Sequence, residues 1–256
     1  MDTDVLTIQE PSKGIAVITL NRPEKRNALS ARLKDELTQT ALNFAERTDI
    51  GAVILTGSGG CFTAGNDISE SDSFAKGLSL TEARRHIRLG LNMCEAWEQL
   101  PQLSIAAIEG FCIGGGISLA VACDFRILQH KAWMRAPEVE LGITFSWGTL
   151  PRLVRLVGPQ RAKMISAVAR KVDSKTALSW GLCEDVVENP LNSAIELAEE
   201  IISKPRVAQQ MIKESINRIT SAPNTGKMEQ DQVLLNMTDP DTISRQKQVL
   251  KGLAKK

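Results

Sequence analysis

Four short apolar runs, separated by stretches with helical spacing, limit what this chain can fold into. Residues 15–20 (IAVITL), 52–56 (AVILT), 104–108 (SIAAI) and 125–128 (FRIL) are too short for helices and apolar nearly throughout. Such runs read as strands buried on both faces, the habit of parallel sheets. Between them, Ser30 stands where a helix cap belongs, ahead of Leu33, Leu37, Ala41 and Phe44 on one face. Residues 81–100 read as a long helix with Ile87, Leu91 and Cys94 inward and Pro101 beyond its end. A short apolar helix is expected after FCIGGGIS. The alternation predicts an α/β architecture with parallel pairing. From about residue 148 the pattern is mainly helical: 191–203 reads as a helix followed by Pro205, and 206–252 as helices interrupted by Pro223 and Pro240. No repeat of fixed period and no low-complexity linker divides the chain.

Charge and cysteine usage narrow the partners. Lys and Arg number 31 against 30 Asp and Glu, a net charge of +1. That balance gives no electrostatic basis for nucleic acid or a membrane surface as main partner. The five cysteines are scattered without a C-x-x-C pair, and there are two histidines, so no zinc or other metal site is expected. An odd count of isolated thiols fits a reducing compartment. The first residues (MDTDVLTIQEPSKG) are acidic and carry neither a signal nor a transit pattern. No run reaches the length of a transmembrane helix. A cytoplasmic protein is the expectation.

Two strand-to-helix junctions are rich in glycine: GSGGCFTAGND at 57–67 and GFCIGGGIS at 110–118. Tight turns are the plain explanation. A phosphate-cradling loop needs G-x-x-x-x-G-K-[ST], and neither junction has the lysine. A dinucleotide fingerprint fails at Phe62 in the first loop and at Leu119 in the second, which argues against a dehydrogenase. What remains is backbone that a ligand can approach closely. A helix starting at 114–116 leaves unpaired N–H groups with the positive dipole end behind them, suited to an oxygen gaining negative charge. A second N–H near Gly65–Asn66 would complete a pair.

At these residues the sequence resembles the enoyl-CoA hydratase/isomerase family, the crotonases. The matching segments are NRPEKRNALS (21–30), FTAGNDIS (62–69), EGFCIGGGISLAVACDFRI (109–127), APEVELGI (136–143) and PRLVRLVGPQRA (151–162). The resemblance implies an α/β fold built as a crotonase-like spiral of ββα units. The core would span 1–200, and 201–256 would be a helical C-terminal region serving oligomerisation and active-site cover. It also implies homotrimers or dimers of trimers, an acyl-CoA substrate, and an oxyanion hole for its thioester. By position the two donors would be the backbone N–H groups of Asn66 and Gly115. The NRPEKRNA segment matches the stretch that wraps coenzyme A, so Lys25 and Arg26 are implied for its phosphates. Ala28, Ala64, Asp67 and Ile68 complete the implied coenzyme A-binding set. Asp67 itself matches a position read first as structural, capping the next helix. No separate cofactor is implied, since coenzyme A is part of the substrate.

The family's hydratases place two glutamates about the reacting carbons. Here one position holds Glu138, the implied general base or acid. The other holds Ser118, which cannot act as a base at neutral pH without an activating partner. It can donate a hydrogen bond or position a water, or it can bond back to its own helix. Glu140, two residues past Glu138, is a weaker alternative. One carboxylate suffices to shuttle a proton between two carbons of an enolate, so isomerisation is favoured over hydration. A hydratase or lyase relying on Glu138 alone, or a non-catalytic acyl-CoA-binding member, are the alternatives. After Glu138, Phe145, Ser146, Trp147 and Thr149 replace the proline and small residues usual in hydratases. Phe145 and Trp147 either narrow the acyl pocket or pack into the core.

Overall fold

The computed structural model describes residues 4–70 and 77–220, with isolated positions 243, 244, 247, 248 and 251 beyond them. Six strands form the main sheet in the order β1-β2-β3-β4-β6-β9. These are β1 (Leu6–Ser12), β2 (Ile15–Leu20), β3 (Ala52–Gly57), β4 (Leu103–Ile108), β6 (Phe125–Gln129) and β9 (Asp185–Val187). β1 is an antiparallel edge, and every other pair is parallel. A smaller sheet joins β5 (Phe111–Ile113), β7 (Trp133–Arg135) and β8 (Val172–Asp173). The chain therefore leaves β4 and β6 through a short second strand before entering a helix, which makes the turns of the spiral.

The four apolar runs are strands, and their alternation sorts side chains to two cores. Ile15, Val17, Ile54, Ile105 and Ala107 face α6 (Pro190–Ile202) through Ala194, Ala198 and Ile201. Ala16, Ile18, Leu20, Val53, Leu55 and Ala106 face the other side. There α1 (Ala31–Ala45) and α2 (Leu80–Glu98) cover them with Leu33, Leu37, Phe44, Met93 and Trp97. Ser30 caps α1, its hydroxyl accepting from Leu33 N–H at 3.2 Å. Ser79 and Glu82 form a reciprocal capping box on α2.

The region after residue 148 is helical, as α4 (Thr149–Ser166, broken at Gly158), α5 (Ser174–Trp180), α6 and α7 (Arg206–Thr220). It also contains β8 and β9, which the sequence pattern does not predict. With two and three residues, neither is long enough to show a period. α7 is tied to the sheet by Lys213, whose buried Nζ donates to Gln102 C=O at 2.8 Å and Asp124 Oδ2 at 2.6 Å. The helices expected after Pro223 and Pro240 fall almost wholly outside the described residues. Among the described residues no helix is long and apolar enough to cross a membrane, and no three His, Cys, Asp or Glu side chains gather as a metal site.

Candidate active site

The two glycine loops meet and are stapled by a third segment. Thr63 bridges Cys112, and Ile113 N–H donates to Thr63 C=O at 3.1 Å. Asn27, fully buried, holds the 22–30 segment against them. Its Nδ2 donates to the carbonyls of Ser58 and Cys61 at 2.8 and 3.0 Å, and its Oδ1 accepts from Arg22 N–H at 2.9 Å. Thr63 Oγ1 donates to Asn27 C=O at 2.6 Å.

Glycine permits this approach at two points. At Gly65 (φ +87°) a Cβ would lie 2.5 Å from Ile113 O and 3.2 Å from Gly115 N. At Gly114 (φ +53°) a Cβ would lie 2.7 Å from Glu138 Oε1. The carboxyl of Glu138, the Gly115 N–H and the Gly65–Asn66 peptide thus gather in one place. Gly115 opens α3 (Gly115–Ala120), ahead of that helix's own acceptors, and no acceptor among the described residues takes its N–H. Beside Asn66, Leu29 N–H donates to Gly65 C=O at 2.8 Å and Asp67 N–H donates to Leu29 C=O at 3.1 Å. The alternation of a parallel ladder therefore turns the Asn66 N–H away from the 28–30 segment.

Glu138 begins a 3-10 turn, Glu138–Leu141, pinned to the second loop by Gly114 N–H donating to Arg135 C=O at 2.9 Å. The residue is half-buried, but its Oε2 is shielded from solvent and has no hydrogen-bond partner among the described residues. Burial pushes its pKa up to about 7, opposed only by its own backbone N–H. Glu140 is instead exposed and paired with Arg135 at 2.6 Å. Ser118 is buried, and its Oγ lies 2.6 Å from Thr149 Oγ1 at the start of α4. Its partner is therefore a neighbouring helix rather than its own backbone.

Phe145 and Trp147 are both in the core. Trp147 lies against Gly90 of α2 and Gly115 of α3, where a Cβ would fall 2.0 and 2.3 Å from its ring atoms. Lys25, Arg26 and Ile68 are exposed on neighbouring segments, and Ala28 and Ala64 are half-buried. Ala64 N–H donates to Arg26 C=O at 2.9 Å. Asp67 accepts from Arg22 Nη1 at 3.0 Å and from Ser69 Oγ at 2.6 Å, and the residue that caps α2 is Ser79.

The sequence reading passes over two residues of this site. Asn27 is one, and a buried polar staple has no local signature. Lys34 is the other. It stands one turn from Ser30 and Leu37 on the apolar face of α1, and a charge on such a face is a signal available from spacing alone. Its Nζ donates to Asn66 Oδ1 at 2.9 Å.

Comparison with known proteins identifies the family and the fold. Residues 10–254 match the family model described as enoyl-CoA hydratase/isomerase. A short-chain-enoyl-CoA hydratase of Clostridium acetobutylicum is 39% identical over 214 residues, covering 82% of this chain and 80% of that protein. The crystal structure of an enoyl-CoA hydratase from Bacillus anthracis superposes with a TM-score of 0.79 at 33% identity, over 94% of this chain and 93% of the other. A monofunctional enoyl CoA isomerase from M. smegmatis gives 0.73 at 29% identity, over 88% and 99%. These neighbours share the crotonase fold read from the sequence. Fold, loop geometry and family match agree: the chain belongs to the enoyl-CoA hydratase/isomerase family.

Proposed function

We propose that this site moves a proton between two carbons of an enoyl-coenzyme A thioester, isomerising its double bond. The observation that carries the reading is Glu138, whose buried carboxyl lies against Gly114 beside the Gly115 N–H and has a pKa of about 7. The base takes a proton from C2 of a 3-enoyl thioester and returns it at C4. A carboxyl near half ionisation at neutral pH suits both steps. As C2 loses its proton, the thioester oxygen gains charge. The backbone N–H groups of Asn66 and Gly115 are assigned to that oxygen, the second with the positive end of α3 behind it.

Hydration runs more readily where a second group activates the water. Where hydratases carry it, Ser118 is engaged by Thr149, and a hydroxyl without a base beside it stays protonated. Ser118 is given a supporting contact here. A second reading, hydration by Glu138 acting in turn as base and acid, is favoured by the hydratase relatives.

Coenzyme A enters as part of the substrate. Lys25 and Arg26 are assigned to its phosphates and Ala28, Ala64, Asp67 and Ile68 to the rest, supported by the pinning of 22–30 onto 63–67. The division into a core (1–200) and a C-terminal region used in trimer assembly is supported by Val207, Met211, Ile212, Ile216 and Ile219, an apolar row exposed on α7. Five buried free thiols support a cytoplasmic setting.

Incubation with 2-enoyl- and 3-enoyl-CoA in heavy water, followed by mass spectrometry, tests the reading. Deuterium with a moved double bond is expected. Gain of a water makes it a hydratase. Ligand-induced thermal stabilisation with neither product makes it a binding module.

A further inference from the structure

Lys34 is a buried ammonium that the proton shuttle above does not use. Only 3% of the residue is exposed. Its single hydrogen-bond acceptor among the described residues is Asn66 Oδ1 at 2.9 Å. Its Nζ also lies 5.4 Å from the centroid of the Trp147 ring, and that ring packs against Gly115. The ammonium therefore touches the side chain of one residue assigned to the oxyanion hole and sits over the indole that backs the other.

Resting on the proposed enolate chemistry, we propose that Lys34 is a positioning residue of the oxyanion hole. Its ammonium holds the Asn66 side chain, fixes the peptide whose N–H meets the thioester oxygen, and places a positive charge beside the enolate. A charge held as deeply buried as Lys34 is screened little and acts strongly on a developing anion nearby. The reaction then runs on the charged form of Lys34.

The groups facing Lys34 leave its charge adjustable. From the loop after β3 come Glu70 and Asp67. Asp67 is already paired with Arg22, and Glu70 Oε2 accepts Ala31 N–H at 2.6 Å. Segment 143–148 presents no titratable side chain, and Arg152 of α4 donates to the Trp147 carbonyl behind it at 2.8 Å. Burial lowers Lys34 to about 8, with Glu70 and Asp67 pulling the other way. Protonated Lys34 is thus lost as pH rises through about 8.

The test compares wild type, Lys34→Met and Lys34→Arg. Rates of C2 deuterium uptake and double-bond shift with 3-hexenoyl-CoA are followed across neutral and alkaline pH, alongside thermal melts. Wild-type kcat should fall on the alkaline side near pH 8. Lys34→Met should lose on the order of 10- to 100-fold in kcat with little change in KM, and lose the alkaline limb. Its melting temperature should hold or rise, because an apolar side chain of similar length replaces a buried charge. Lys34→Arg should recover much of the rate and move the limb to higher pH. Wild-type kcat and an unchanged alkaline limb in Lys34→Met overturn the proposal. So does a loss that tracks lowered melting and is not rescued by Arg. If wild type itself takes up no deuterium and shifts no double bond, the thioester reading falls first and carries this one with it.

Discussion

Arg126 and Glu138 are both charged side chains taken out of water, and they are treated in opposite ways. Arg126 lies in β6 with no solvent exposure. Its guanidinium donates to the carbonyls of Leu182, Cys123 and Asp124 at 2.8, 2.8 and 3.2 Å, and to Glu184 Oε1 at 2.9 Å. Glu138 has a shielded oxygen with no partner among the described residues, and its pKa has moved to about 7. Burial with every donor used ties β6 to the segment around β9. Burial with an oxygen left over raises the energy of the charged form and keeps a proton exchangeable at neutral pH. The first arrangement is architecture, and the second suits the proposed chemistry.

The contrast breaks if the two substitutions have interchangeable effects. Glu138→Gln should lower turnover of 3-enoyl-CoA by about 10²- to 10⁴-fold, the range for a positioned general base, without loss of fold by circular dichroism. Arg126→Met should do the reverse. It strands several buried carbonyls and should cost about 3–5 kcal/mol in denaturant unfolding, while the folded fraction keeps its rate per site.

Stability against pH sharpens the same contrast. The folded-state pKa of Glu138 is raised above its ordinary 4.5 to about 7. Its contribution to stability is therefore fully present below about pH 4.5 and lost as pH rises through about 7. The difference amounts to about 3 kcal/mol. Glu138→Gln removes that dependence, so its melting temperature should gain on wild type between pH 4.5 and pH 7. A constant gap across that window would mean the carboxyl is not held in low dielectric.

The smallest effect belongs to Ser118. Ser118→Ala loses the bond to Thr149 and should cost about 1–2 kcal/mol in stability. Its kcat should fall less than about tenfold, because the hydroxyl is assigned no proton transfer. A loss comparable with that of Glu138→Gln would place Ser118 in the chemistry.

Local pattern carried much of the architecture. The strands at 15–20, 52–56 and 104–108 were legible because burial on both faces leaves an unbroken apolar run. The Ser30 cap was legible because capping depends on one side chain and three residues of spacing. β1 was not, since an edge strand carrying Pro11 has neither a continuous apolar run nor an uninterrupted alternation. Motif order alone nominates Glu138, Ser118, Asn66 and Gly115. Tertiary packing supplied Asn27, Lys34 and the Ser118–Thr149 pair, whose hydrogen-bond partners lie up to 34 residues away in sequence.

The sequence by itself determined the family, the parallel α/β frame and the identity of the one carboxylate at the motif position. Those follow from residue order and short-range periodicity, which survive in a string of letters. Only the tertiary structure decided that Phe145 and Trp147 belong to the core, that Asp67 pairs with Arg22, and that Glu138 keeps an oxygen without a partner among the described residues. Each depends on what segments distant in sequence bring alongside a side chain. A pKa, a hydrogen bond and a packing contact are properties of that neighbourhood, and residue order does not specify it.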